Sequence, residues 1–200
     1  MTTDIDGITF KIIQTLYGNG NPDKAVLASV RSASSITSQR AQKVWPILMA
    51  NLPSDLLSKS GRPTRAETAI YSAVRLYAIH QQGKDAIVCG NSLTNDPKDG
   101  VTLFEALANL RRNADIRVAL DRRIQPLLET TNIDSVINSI THLVAILKAN
   151  NGTQKIDYPR LAKDLYWFQS DFKRANEVRL LWGQQYFWVT NQTTKIEGKQ

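Results

Sequence analysis

The residues able to do acid–base, redox or metal chemistry are few: His80, His142 and Cys89 are the only histidines and cysteine in the chain. One cysteine excludes an intrachain disulfide, and three such residues are too few for the usual Cys/His zinc site, so no metal is expected. A catalytic nucleophile needs a base beside it. The two histidines instead fall on different helical segments, His80 on an apolar face and His142 on a polar one. Gly18-Asn19-Gly20 lacks the preceding strand that a phosphate-cradling loop requires. Asp96 and Asp99 stand in a stretch whose turn chemistry already explains them. The other acids read as helix caps or solvated helix residues, which leaves no cluster for a two-metal nuclease. Neither enzymatic activity nor a cofactor is expected.

Arginine is the more informative residue. Residues 24–75 hold Lys24, Arg31, Arg40, Lys43, Lys59, Arg62, Arg65 and Arg75 against only Asp55 and Glu67. A second concentration, Arg111, Arg112, Arg117, Arg122 and Arg123, is opposed by Asp115 and Asp121. Over the 200 residues, 25 Lys and Arg face 18 Asp and Glu, a net charge of +7. A planar guanidinium suits phosphate oxygens, and a basic excess favours an anionic partner. Helices bearing Arg but few base-reading amides position a backbone without reading sequence. The plainer reading is a solvated helix face. Arg123 projects among Ile116, Leu120, Ile124 and Leu127, where a structural ion pair competes with a phosphate contact.

The elements that must position these residues are helical almost throughout. Ile5, Ile8, Ile12, Ile13 and Leu16 recur at helical spacing before Gly18. Asn21 and Pro22 are expected to open a second helix carrying Val26, Leu27 and Val30. Residues 32–38 read as a loop, and Pro46 pushes Trp45 towards extended geometry before a short helix. Thr64 with Glu67, and Thr102 with Glu105, have capping-box spacing. Behind Thr64, the residues Ala66, Ala69, Ile70, Ala73, Tyr77 and His80 share a face, with Arg75 opposite. His80 reads as a satisfied histidine at the core edge. Residues 84–100 form a loop, and a helix from about residue 115 towards Glu129 is expected to kink or end at Pro126. A stripe from Ile133 to Leu147, a helix capped by Asp157, and a last helix with Val178, Leu181, Trp182 and Tyr186 complete the chain. The expected architecture is all-α, two stacked helical bundles in one compact chain. Residues 1–98 form a basic N-terminal lobe, 99–190 a C-terminal bundle, and 191–200 a polar tail. No apolar run reaches the length of a membrane span and no signal segment stands at the start, so a cytoplasmic location is expected.

The order of several segments is recognisable. Trp45-Pro46-Ile47-Leu48 follows a basic helix with Arg31, and Leu76-Tyr77-Ala78-Ile79-His80-Gln81 comes next. Thr102-Leu103-Phe104-Glu105-Ala106-Leu107 and Asp121-Arg122-Arg123-Ile124 follow. The most specific block is Ile156-Asp157-Tyr158-Pro159-Arg160-Leu161-Ala162-Lys163-Asp164-Leu165, with Trp182-Gly183-Gln184-Gln185-Tyr186-Phe187 behind it. In this order the chain resembles the CasB or Cse2 family, the small subunit of the type I-E CRISPR surveillance complex Cascade. The resemblance implies a non-catalytic helical subunit of an RNA-guided antiviral ribonucleoprotein. It further implies contacts with a Cas7-type backbone, a Cse1-type large subunit, a second copy of itself, the crRNA, and the target and displaced DNA strands of an R-loop. The family's basic residues carry over to Arg31, to Arg62 and Arg65, and to Arg122 and Arg123. Residues 134–148, often basic in the family, here offer mainly Ser135, Asn138, Ser139, Thr141 and His142. The rival class is a structural adaptor with solvated arginines. Among the basic residues, Arg31, Arg65 and Arg75 are expected to lead, each at a helix start or away from an apolar face.

The last helix has more apolar surface than one core can use. Leu180 and Phe187 point nearly opposite to the Trp182 stripe. Either the helix is buried on both sides, or these two side chains dock a neighbouring subunit.

Overall fold

A computed structural model describes the backbone of residues 4–94, 96 and 98–197, and side chains as far as Trp188. The chain runs α1 (Ile5–Tyr17), α2 (Lys24–Ser32), α3 (Trp45–Asn51), α4 (Arg65–Gln81), α5 (Leu103–Leu110), α6 (Ala114–Glu129), α7 (Ile133–Asn151), α8 (Tyr158–Phe168) and α9 (Phe172–Glu197). Among the described residues there is no strand. Ile156 makes isolated bridges with Cys89 and Val101.

Local chemistry sets most helix starts. Thr64 and Thr102 each close a full capping box, with Glu67 and Glu105. Asp157 accepts from the Arg160 N–H at 2.8 Å. Gly18 ends α1 in the left-handed region at φ 55°, which glycine adopts without a Cβ penalty. The expectation for α2 shifts by two residues: Asp23, not Asn21, is the cap, its carboxylate accepting from the Val26 N–H at 3.0 Å. Trp45 is helical rather than extended and begins α3 directly. A preceding 3₁₀ stretch, Gln39–Val44, already winds the chain, and the Trp45 indole N–H donates to the Ile36 carbonyl at 2.9 Å. Pro126 stays inside α6, which continues to Glu129. The helix ends three residues later, so tertiary packing of Leu120, Ile124 and Leu127 outweighs the one lost bond. Helix α9 continues into the stretch expected as a tail, while residues 198–200 lie outside the described residues.

In space, α8 packs on α1 and α4, and α9 packs on α5. Distant sequence therefore returns to the helices of residues 1–98, and one hydrophobic core runs through both stretches. Trp182 stacks between Phe104, 4.8 Å away, and Phe168, 6.0 Å away. The loop expected over residues 84–100, in which Asn95 and Pro97 lie outside the described residues, is held by Ile156. Its N–H donates to Val88, and its carbonyl accepts from Gly90. Gly90 also meets Gly100 so closely that a Cβ would lie 2.0 Å from the Asp99 carbonyl oxygen.

Candidate nucleic-acid interface

The first basic stretch is spread over several elements. Arg31 lies part-exposed in the last turn of α2, Arg40 and Lys43 are exposed in the 3₁₀ stretch, and Arg62 and Arg65 are exposed around the start of α4. None of them takes part in an ion pair among the described residues. Arg65 instead lies over the Tyr166 ring at 5.2 Å. Arg75 departs from its expected place on an open face. Helix α4 is buried nearly all round, so its far side meets α7 and Arg75 is half-buried there.

The second concentration divides. Arg111 makes a bidentate pair with Asp121, Nε–Oδ1 2.7 Å and Nη2–Oδ2 3.1 Å, and lies 5.2 Å over the Phe187 ring. The Tyr186 hydroxyl donates to the same Asp121 at 2.8 Å. The hydrogen bond to Asp121 raises Arg111 above its ordinary value. Burial works to raise Asp121, but hydrogen bonds from Arg111 and Tyr186 overcome it and hold the carboxyl below its usual range. Arg111 is thus structurally engaged. Arg112, Arg117, Arg122 and Arg123 are exposed. Arg123 corrects the expectation of an apolar seat: it is exposed, and its guanidinium curls back to the Ala119 carbonyl at 3.1 Å while Leu120, Ile124 and Leu127 turn inward.

Two groupings escaped the sequence pattern. Lys148 has its pKa lowered by burial first and then by Arg31 and Lys84, so three cations from α2, the α4 exit and α7 converge. Tyr166 and Trp167 meet edge to face at 5.3 Å, flanked by Arg65 and by Arg174, which lies 5.0 Å over Trp167. Alternating aromatic rings and guanidinium groups can stack bases as well as hold phosphates. The Arg65–Tyr166 half needed α8 against the start of α4, a contact between residues about a hundred positions apart that no local spacing signals, whereas Trp167 and Arg174 lie seven positions apart.

His80 and Cys89 are buried within the fold. His80 bonds the Tyr158 hydroxyl at 2.9 Å and the Gly152 carbonyl at 3.1 Å, as its core-edge reading expected. Burial pushes it down to about 4, so it is neutral near pH 7. Burial pushes the Cys89 thiol up to about 12, which leaves it protonated and inert. His142 is exposed. Among the described residues no group of His, Cys, Asp and Glu could hold a metal ion, and no helix is long and apolar enough to cross a membrane.

Leu180, Phe187 and Trp188 are 64%, 41% and 60% exposed, so α9 is not buried on both sides at these positions. With Leu128 and Gly183 they line a groove of about 710 Å³.

These features define an all-helical protein with arginines spread over its surface, several of them without an acidic partner among the described residues. The chain belongs to the Cse2 family of CRISPR-associated proteins, whose model matches residues 26–187. Among solved structures, CasB from Thermobifida fusca is 25% identical with a TM-score of 0.65, over 91% of this chain and 94% of that one. A Cse2-family CRISPR-associated protein from Thermus thermophilus is 21% identical with a TM-score of 0.58, over 91% and 97%. CasB from M. ruber is 15% identical with a TM-score of 0.66, over 92% and 97%. Among curated proteins none matches the chain.

Proposed function

We propose that this chain is the non-catalytic small subunit of a type I-E RNA-guided surveillance complex, Cascade, and that it holds nucleic-acid backbone once an R-loop has opened. Family membership supports the assembly. The observation that carries the nucleic-acid role is the set of solvent-reaching arginines outside any ion pair among the described residues, Arg31, Arg62, Arg65, Arg122 and Arg123 foremost. R-loop formation exchanges DNA duplex for a heteroduplex of about equal stability, so modest phosphate contacts tip it. A displaced strand of arbitrary sequence calls for charge and stacking, which the surface of Arg65, Tyr166, Trp167 and Arg174 supplies. Its protein partners on this reading are the Cas7-type backbone, the Cse1-type large subunit and a second copy. Its nucleic-acid partners are the crRNA and the target and displaced strands. The exposed Leu180 and Phe187 are candidates for the protein contacts.

The test replaces Arg31, Arg62 and Arg65 together by Glu. The complex should assemble, but its R-loop should dissociate faster and with a flatter salt dependence, because fewer counterions are released. An R-loop lifetime equal to wild type across salt sinks the proposal and leaves the adaptor.

A further inference from the structure

Helices α4 and α7 pack side by side, and a cleft of about 470 Å³ opens between them and the bend at residues 34–37. Arg75 lines this cleft. Its Nη1 donates to the Thr141 hydroxyl at 3.1 Å, while its Nε is buried with no acceptor among the described residues. The Thr141 hydroxyl spends its own proton on the Ile137 carbonyl at 2.8 Å, which leaves it an acceptor for Arg75. So the guanidinium commits one of five N–H donors and forms no ion pair among the described residues. Burial accordingly lowers its pKa, the Tyr71 phenol opposing this only in part. A desolvated, unpaired charge lowers the stability of a fold unless something binds it.

The rest of the lining suits an anion with oxygen atoms. Thr68, Ser72 and Asn138 offer hydroxyl or amide donors, the Ser35 and Thr37 hydroxyls, bonded to each other at 2.9 Å, keep one free proton between them, and Asp134 is the one acid among the lining residues. The positive field extends along the same seam. Lys148 lies seven residues beyond Thr141, on the same face of α7 and about 10 Å further along its axis. There Arg31 and Lys84 crowd it, and its ammonium has the Gln82 amide oxygen, 3.0 Å away, rather than a carboxylate.

We propose that this cleft is a phosphate site: Arg75 and its hydroxyl neighbours take one phosphate of a single nucleic-acid strand that runs along the α4–α7 seam towards Arg31, Lys84 and Lys148. The proposal rests on the nucleic-acid reading above and assigns it a place where sequence showed mainly small polar residues. A planar guanidinium edge and several hydroxyls recognise phosphate oxygens irrespective of base. An inorganic phosphate or a mononucleotide shares that chemistry, and the experiment separates these sources.

The full chain carrying Arg75→Met, Arg75→Lys or Asp134→Asn is compared with wild type in two measurements. In the first, melting is followed alone, with inorganic phosphate and with thymidine monophosphate. In the second, anisotropy of a short fluorescent oligodeoxythymidine is titrated at several salt concentrations. Without ligand, Arg75→Met should melt higher than wild type, because an uncompensated charge is gone. It should bind the oligomer several-fold more weakly, with a salt slope shallower by about 0.7 for the lost phosphate contact. Arg75→Lys should fall between, and Asp134→Asn should bind more tightly. Oligomer binding and slope unchanged in both Arg75 variants overturn the proposal, as does a wild type that leaves the oligomer unbound. Stabilisation by phosphate or thymidine monophosphate without oligomer binding overturns the strand and leaves a small-anion site. The R-loop test with Arg31, Arg62 and Arg65 judges the broader reading separately, since none of its substitutions touches Arg75.

Discussion

Arg75 and Arg111 are both half-buried arginines, yet their seats are opposite in kind. At the contact of α6 and α9, Arg111 meets a bidentate carboxylate and lies over two aromatic rings, 5.5 and 5.2 Å from their centroids. At the α4–α7 seam, Arg75 meets one hydroxyl and, among the described residues, no acid. The first charge is spent inside the fold, whereas the second is left over. Counting arginines in a sequence thus treats Arg111 and Arg75 alike, because availability depends on what the neighbouring helix presents.

The contrast is sharpest for a buried carboxylate, Asp164, which has a partner of intermediate quality. The Trp182 indole N–H donates to it at 2.9 Å, but Arg160 stands off at 3.9 Å. Burial pushes its pKa up to about 6 from 3.8, against these two groups. A folded pKa above the unfolded one means the folded state holds the proton more tightly. The stabilising contribution is therefore full below about pH 4 and is lost as pH rises through about 6. Asp164→Asn keeps an acceptor for Trp182 and removes the titration. Relative to wild type, it should gain about 2 kcal/mol between about pH 4 and pH 7 in urea unfolding. The opposite trend from His80 is common to both proteins and cancels in the difference. A difference flat with pH would show that Asp164 is as well compensated as Asp121.

A smaller effect is expected at the satisfied arginine. Asp121→Ala removes the acceptor of Arg111 and of the Tyr186 hydroxyl, and should cost about 1 to 2 kcal/mol, the partial exposure of the pair screening the rest. Arg75→Met should change melting in the other direction. If both variants lower stability alike, the two seats are equivalent and the contrast fails.

The smallest effect belongs to Phe187. Its ring is 41% exposed and keeps only Arg111 and Tyr186 as described aromatic or cationic neighbours, so Phe187→Ala should cost under about 1 kcal/mol rather than a core penalty. Retention in a pull-down of the assembled complex should nevertheless fall. Unchanged retention removes the docking role.

Elements whose signal is local were legible in the sequence. Both capping boxes, the Asp157 cap, the buried stripe of α7 and the inward stripe of α4 follow from spacing and side-chain chemistry. Trp45 and Pro126 broke the local rules because an upstream 3₁₀ turn and core packing overrode a weak preference. At the interface, the sequence marked the solvent-reaching Arg31, Arg62 and Arg65 but also Arg111, which looks no different in one dimension. Lys84, Lys148, Tyr166, Trp167 and Arg174 were missed: Lys148 and Tyr166 meet Arg31 and Arg65 from far along the chain, and Trp167 meets Arg174 only across the turn between α8 and α9.

By itself, the sequence determined an all-helical chain with an excess of basic residues, because periodicity, capping and residue type act within a few positions. Only the tertiary structure decided which charges are neutralised. Electrostatic pairing and desolvation depend on distances between helices: α6 turns back onto the end of α5 and gives Arg111 its acid, while the packing of α7 on α4 leaves Arg75 without one among the described residues.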